Sequence, residues 1–215
     1  DEIYDQVVAM DQQSRLYFDR PLSNIVFMGM GEPLMNYKNL INTIDKITQS
    51  EGLGMSPSRI TVSTSGIPKM MMKMADDQVR FGLAVSLHSA RQELRQQLMP
   101  FAEKFPLNDL VDAIKYWHEK TAKPVTYEYV VWKGINDGDE DINALVDFCK
   151  ISPCKVNLIE YNPIGDDQFL QADKDRIQAY ESALEAERIT VTVRRSRGKD
   201  IDAACGQLAN KAEGE

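Results

Sequence analysis

The chain has 215 residues, enough to bury one full hydrophobic core, and its net charge of −8 argues against a surface given over wholesale to nucleic acid. No apolar run approaches the roughly 18 residues of a membrane span, and no secretory leader pattern opens the chain. Three cysteines at uneven spacing suit a reducing, cytoplasmic setting and speak against a disulfide framework. The first residues already read as mid-helix, as an internal piece of a longer protein would.

In chain order, Ile3, Val7, Val8 and Leu16 recur at helical spacing and predict an amphipathic helix from Ile3 to Tyr17. A strand over Asn24 to Met28 then runs into Gly29-Met-Gly-Glu-Pro-Leu34. The two glycines permit close backbone approach to a ligand, and Pro33 suits the first turn of a helix. A dinucleotide fingerprint would need a third glycine where Leu34 stands, and the charge of Glu32 repels a phosphate. That carboxylate suits an ammonium group, or else it is a solvated acid in a tight turn.

Further along, the pattern predicts a helix over Asn39 to Gln49 and a strand Ile60 to Ser63 that ends in Ser63-Thr-Ser-Gly66. After Pro68 comes a helix rich in methionine, whose Met70, Met71, Met72 and Met74 read as core packing. A strand Leu83 to Val85 ends in Ser86-Leu-His88, and helices follow near Arg91 to Leu98 and from Leu107 to Lys120. The rest reads as strand Val125 to Val131, helix Asp141 to Lys150, strand Lys155 to Ile159, helix Lys174 to Arg188 and strand Ile189 to Val193.

Six strands separated mostly by helices call for parallel pairing, because parallel neighbours need long crossovers. The fold class is therefore α/β. Parallel strands bring their C-terminal ends to one face, so Glu32, Ser63, Ser65, Ser86, His88, Asn136, Asn162 and Arg194 are expected in one polar pocket. His88 there is an acid, a base, a hydrogen-bond donor or simply a satisfied rim residue. His118 has no partner acid or cysteine at ligand spacing, and neither a zinc site nor a Ser-His-Asp arrangement is visible.

Cys205 lies between Ala204 and Gly206, with Arg194, Arg195, Arg197 and Lys199 close in sequence. An accessible thiol near positive charge can be a nucleophile, and a structural cysteine is the alternative. Cys149 and Cys154 read as packing. Read without any family in mind, the chain is a generic barrel enzyme with Lys133 as a Schiff-base residue, or a module that binds a nucleoside or RNA.

The motifs Gly29-Met-Gly-Glu-Pro-Leu34, Ser63-Thr-Ser-Gly66, Ser86-Leu-His88, Leu98-Met-Pro100, Val156-Asn-Leu-Ile159 with Tyr161-Asn-Pro163, and Asp200-Ile-Asp-Ala-Ala-Cys-Gly-Gln-Leu208 occur in that order. The chain that carries them resembles the radical SAM adenine methyltransferases of ribosomal RNA, the RlmN and Cfr family. The resemblance implies a partial (β/α) barrel of radical SAM type over residues 1–215, with S-adenosylmethionine across the strand ends and a C-terminal segment bearing the catalytic cysteine.

By the same resemblance, Gly31 and Glu32 meet the aminoacyl end of S-adenosylmethionine, Ser63 with Ser86, Leu87 and His88 its sugar and sulfonium region, and Asn162 its adenosine part. Cys205 carries the methyl group to adenine as S-methylcysteine. Pro33 and Ser65 look more like the branch that methylates C2 than the branch that methylates C8. The implied partners are 23S ribosomal RNA, transfer RNA as a further substrate, and an electron donor such as flavodoxin, for a monomer with no membrane contact.

The family's 4Fe–4S cluster sits on a Cys-x3-Cys-x2-Cys run that none of the three cysteines here supplies. The first barrel strand, the cluster loop, the resolving cysteine and an accessory domain are likewise expected outside these residues. A polypeptide of these residues alone is therefore expected not to methylate, and stoichiometric iron and sulfide in it would contradict that. The run Arg194 to Lys199 is a candidate contact for RNA phosphates, with a solvated loop as the alternative.

Overall fold

A computed structural model describes residues 2–28, 31–162 and 169–195. Its centre is a six-stranded sheet: β1 (Ile25–Phe27), β2 (Ile60–Thr64), β3 (Gly82–Ser86), β4 (Val125–Val131), β5 (Cys154–Glu160) and β6 (Thr190–Arg194). All five neighbouring pairs are parallel, and the spatial order is the chain order. A doubly wound sheet would reverse its order partway across. An unbroken progression is instead the wall of a barrel, with β1 and β6 at its two edges.

Helices α1 (Glu2–Phe18), α2 (Tyr37–Thr48), α3 (Pro68–Asp76), α4 (Gln92–Leu98), α5 (Leu107–Thr121), α6 (Asp139–Cys149) and α7 (Lys174–Ala186) fill the crossovers. The predicted elements and the observed ones differ mainly by a residue or two at their ends. Helix α1 departs from its expected packing: Leu16 is 73% exposed, and the buried residue of that helix is Asp11. The Asp11 carboxylate accepts Arg15 Nε–H at 2.7 Å and the N–H of Leu22 at 2.9 Å, and so pins the turn into β1. No described helix is long and apolar enough to cross a membrane.

Side chains alternate across the strands and divide the sheet into two faces. On the helix-covered face, Tyr127 meets Phe148 edge-on at 5.3 Å and Tyr129 lies 5.5 Å from Tyr180. Met71 and Met74 are fully buried in the same core, as the packing reading of the methionine-rich helix required. Registers that pair Ser63 with Ala84, Ser86 with Glu128, and Glu128 with Asn157 place a polar row on the other face. There the Glu128 carboxylate accepts Asn157 Nδ2–H at 2.8 Å and pairs with Arg194 at 3.3 Å.

Candidate functional site

The site begins where β1 ends. Gly31 has a φ of +115°, a conformation that side chains with a Cβ rarely adopt, and it delivers Glu32 to the N-cap of a short 3-10 turn, Pro33–Asn36. Pro33 needs no N–H partner at that first position. Glu32 Oε1 accepts the N–H of Leu34 at 3.0 Å, while Oε2 accepts both the N–H of Ser65 at 2.7 Å and its hydroxyl at 2.6 Å. A carboxylate has about four acceptor directions, so this one joins two strand-end turns and keeps capacity for a further donor.

A cavity of about 330 Å³ opens along these strand ends. Gly31, Glu32, Ser63, Ser65, Ser86 and His88 line it together, with Trp132, Leu98 and Met99 on the far side. That volume lies within the range of small-molecule sites, and its polar groups come from three different strand ends. A cavity of about 610 Å³ between α1 and β1 shares Gly31, Glu32 and Pro33 with it, and its remaining walls are mainly apolar.

His88 also has a left-handed backbone, with φ +56°. Its Nδ1 accepts the N–H of Val130 at 3.1 Å, which an imidazolium cannot do, so the ring is neutral with its proton on Nε2. Burial, helped by the positive charge of Arg95, pushes its pKa down from 6.5 to about 4. The ring meets Trp132 edge-on at 5.8 Å. His88 is therefore a hydrogen-bond donor at neutral pH and is poorly suited to carry a proton.

The remaining expected residues make contacts within the fold. Leu87 is fully buried in the core, and its N–H and C=O bind Glu128 O at 3.0 Å and Arg95 Nε at 3.2 Å. Asn136 braces a loop: its Nδ2 donates to His88 O and Val130 O, both at 2.8 Å, and its Oδ1 accepts Trp132 N–H at 2.7 Å. Asn162 is buried beside β5, its Nδ2 donating to Glu160 O at 3.4 Å, and it does not line the cavity.

Arg194 belongs to the Glu128 pair and also stays outside the cavity, and Arg195 pairs with Glu160 at 3.6 Å. Of the eight strand-end residues, Glu32, Ser63, Ser65, Ser86 and His88 line this cavity together. Cys205, Arg197 and Lys199 lie outside the described residues. Lys133 is ion-paired with Asp173 at 2.9 Å, which raises its pKa and removes the Schiff-base reading.

The sequence reading missed Trp132 and Arg95. Arg95 is 1% exposed, behind the cavity, and donates to Ser65 O at 2.7 Å and Leu87 O at 3.2 Å. Its position three residues before Leu98, on the inward face of α4, was the available signal, because a cation on such a face needs a partner.

No protein-family model matches the chain. It is 68% identical over 212 residues to a probable dual-specificity RNA methyltransferase RlmN of Christiangramia forsetii, covering 99% of this chain and 60% of that protein. A protein of the same name from Flavobacterium psychrophilum is 69% identical over 210 residues, with coverage of 98% and 60%. The crystal structure of a radical SAM methyltransferase from Sphaerobacter thermophilus superposes with a TM-score of 0.91 at 39% identity, covering 96% of this chain and 60% of that one.

The parallel barrel wall thus has the fold of a radical SAM methyltransferase. Within that class, the chain belongs to the RlmN family. It spans about 60% of the length of the curated relatives it matches.

Proposed function

We propose that this chain is the S-adenosylmethionine-binding barrel of an RNA methyltransferase that modifies C2 of an adenine in 23S ribosomal RNA, with transfer RNA as a further substrate. The observation that carries the reading is the Glu32 carboxylate, held by Ser65 and Leu34 at the cavity mouth with acceptor capacity left over. A cationic α-ammonium is the partner such a group suits. Ser63 and Ser86 offer hydroxyls for ribose oxygens, and His88 Nε2–H offers a fixed neutral donor. When bound, S-adenosylmethionine supplies an electrophilic methyl group on a sulfonium.

In this reading the thiolate of Cys205 attacks that methyl group. A carbon–sulfur bond forms to Cys205 Sγ, the bond to the sulfonium breaks, and its electron pair stays on the departing S-adenosylhomocysteine. The electron-poor C2 of adenine cannot attack a sulfonium methyl, and a thioether methyl is less electrophilic still. The methyl carried on Cys205 would therefore reach C2 only after one-electron activation, the chemistry the fold class's cluster would supply. The names of the relatives, dual-specificity RNA methyltransferases, support the RNA substrate.

The fold class also implies a 4Fe–4S cluster, and the described residues do not fit one. Cys149 ends α6 and Cys154 begins β5, at the end of the sheet opposite the rim, and no group of three or more His, Cys, Asp or Glu among the described residues could hold a metal. No step can be assigned to a cluster held by them. A polypeptide of these residues alone is therefore expected to bind S-adenosylmethionine without methylating RNA.

The experiment is intact-mass and peptide mapping of the complete gene product after exposure to S-adenosylmethionine. The expected result is a gain of about 14 Da on the Cys205 peptide, lost in Cys205→Ser together with 2-methyladenosine in ribosomal RNA. RNA methylation undiminished in Cys205→Ser would overturn the reading.

A further inference from the structure

Arg95 is an unusual residue for a buried position. It is 1% exposed, and among the described residues no carboxylate lies within ion-pair distance of it. Its donors go to main-chain carbonyls: Nη2 to Ser65 O at 2.7 Å and Ser86 O at 3.4 Å, and Nε to Leu87 O at 3.2 Å. A buried cation without a counter-ion costs several kcal/mol unless its hydrogen bonds are good. Plain packing of α4 against the sheet would be served better by an apolar side chain of similar volume.

The three carbonyls belong to the last residue of β3 and to the turns that follow β2 and β3. Each strand end also supplies cavity residues: Ser65 on one side, Ser86 and His88 on the other. Ser65 grips Glu32 through its N–H and hydroxyl, and its own carbonyl is the one Arg95 holds most closely. The path from Arg95 to Glu32 thus runs through a single residue. The guanidinium is planar and its donors leave in fixed directions, so it can set two turns relative to each other in a way a lysine ammonium cannot.

We propose that Arg95 is a positioning residue, which locks the β2 and β3 strand-end turns together and thereby fixes the Ser65 groups that orient Glu32 toward the ligand. This rests on the reading of the cavity as the S-adenosylmethionine site. Displacements of about 1 Å at such a site cost on the order of 100-fold in function, so the arrangement is sensitive to the loss of the fork.

The test compares the complete gene product with Arg95→Lys and Arg95→Gln, measuring S-adenosylmethionine affinity by calorimetry, Tm, and the titration of His88 by NMR. Arg95→Lys is expected to weaken binding at least about tenfold while the protein stays folded. In Arg95→Gln the His88 pKa should rise above its native value of about 4, because the neighbouring positive charge is gone.

Wild-type affinity in both folded variants would overturn the proposal, whatever their Tm. Failure of the wild type to bind S-adenosylmethionine would overturn the ligand reading instead. If neither variant folds, the wild-type protein still decides. The Arg95 Nε–H resonance should shift on saturation with S-adenosylmethionine, and an unchanged resonance would contradict a positioning role.

Discussion

Glu32→Gln is expected to weaken S-adenosylmethionine binding by about 10- to 100-fold, measured by isothermal titration on folded protein. Hydrogen bonds to charged groups contribute about 1.5–3 kcal/mol, and each 1.4 kcal/mol is a factor of about ten. The substitution removes the charge that attracts an ammonium. It also spoils the existing geometry, because Leu34 N–H binds one carboxylate oxygen and Ser65 N–H the other, and an amide can accept at only one of its two atoms. The NH₂ group must then face a backbone donor or rotate out of the clamp. Unchanged affinity with an intact fold would place the ammonium elsewhere.

Gly66→Ala is expected to lower stability by about 2–5 kcal/mol, the sum of backbone strain and overpacking. The φ at Gly66 is +96°, and a Cβ there would meet Leu110 Cδ1 at 3.1 Å and Arg95 Nη2 at 3.5 Å. Leu110 is itself fully buried in α5, so it has little room to give. Gly31→Ala makes the useful contrast, since its φ is also positive but nothing lies within 4 Å of the added atom. That substitution should cost only the backbone strain, about 1–2 kcal/mol. Urea unfolding of the two variants checks the ranking, and equal losses would mean that the contact with Leu110 relaxes freely.

The order of elements was legible because each strand is a short apolar run closed by Gly, Pro, Ser or Asn, and the intervals carry helical periodicity. Parallel pairing then placed the strand ends at one edge, which located Glu32, Ser63, Ser65, Ser86 and His88 without coordinates. What the sequence could not supply was direction within that edge. Leu87 sits between two cavity residues yet points into the core, as alternation along a strand requires.

Asn136 looked like a ligand-facing amide, and its three hydrogen bonds instead close the loop beneath His88. Arg194 met an acid from a strand 66 residues earlier, a pairing that only the sheet register reveals. Leu16 followed the helical spacing and still faces outward, because α1 packs chiefly against α2 and not onto the face of the sheet. Arg95 was overlooked because a charged residue on a short helix is ordinarily solvated, although its spacing from Leu98 marks the inward face of α4.

The central claim is that S-adenosylmethionine lies across the C-terminal ends of β1, β2 and β3. The most direct measurement is ultraviolet cross-linking of radiolabelled S-adenosylmethionine to the complete gene product, with the labelled peptides mapped by mass spectrometry. Label on the peptides that contain Gly31 and Glu32, Ser63 to Ser65, and Ser86 to His88, suppressed by S-adenosylhomocysteine, is the result expected. Specific label confined to other parts of the chain, such as the apolar cavity between α1 and β1, would contradict it.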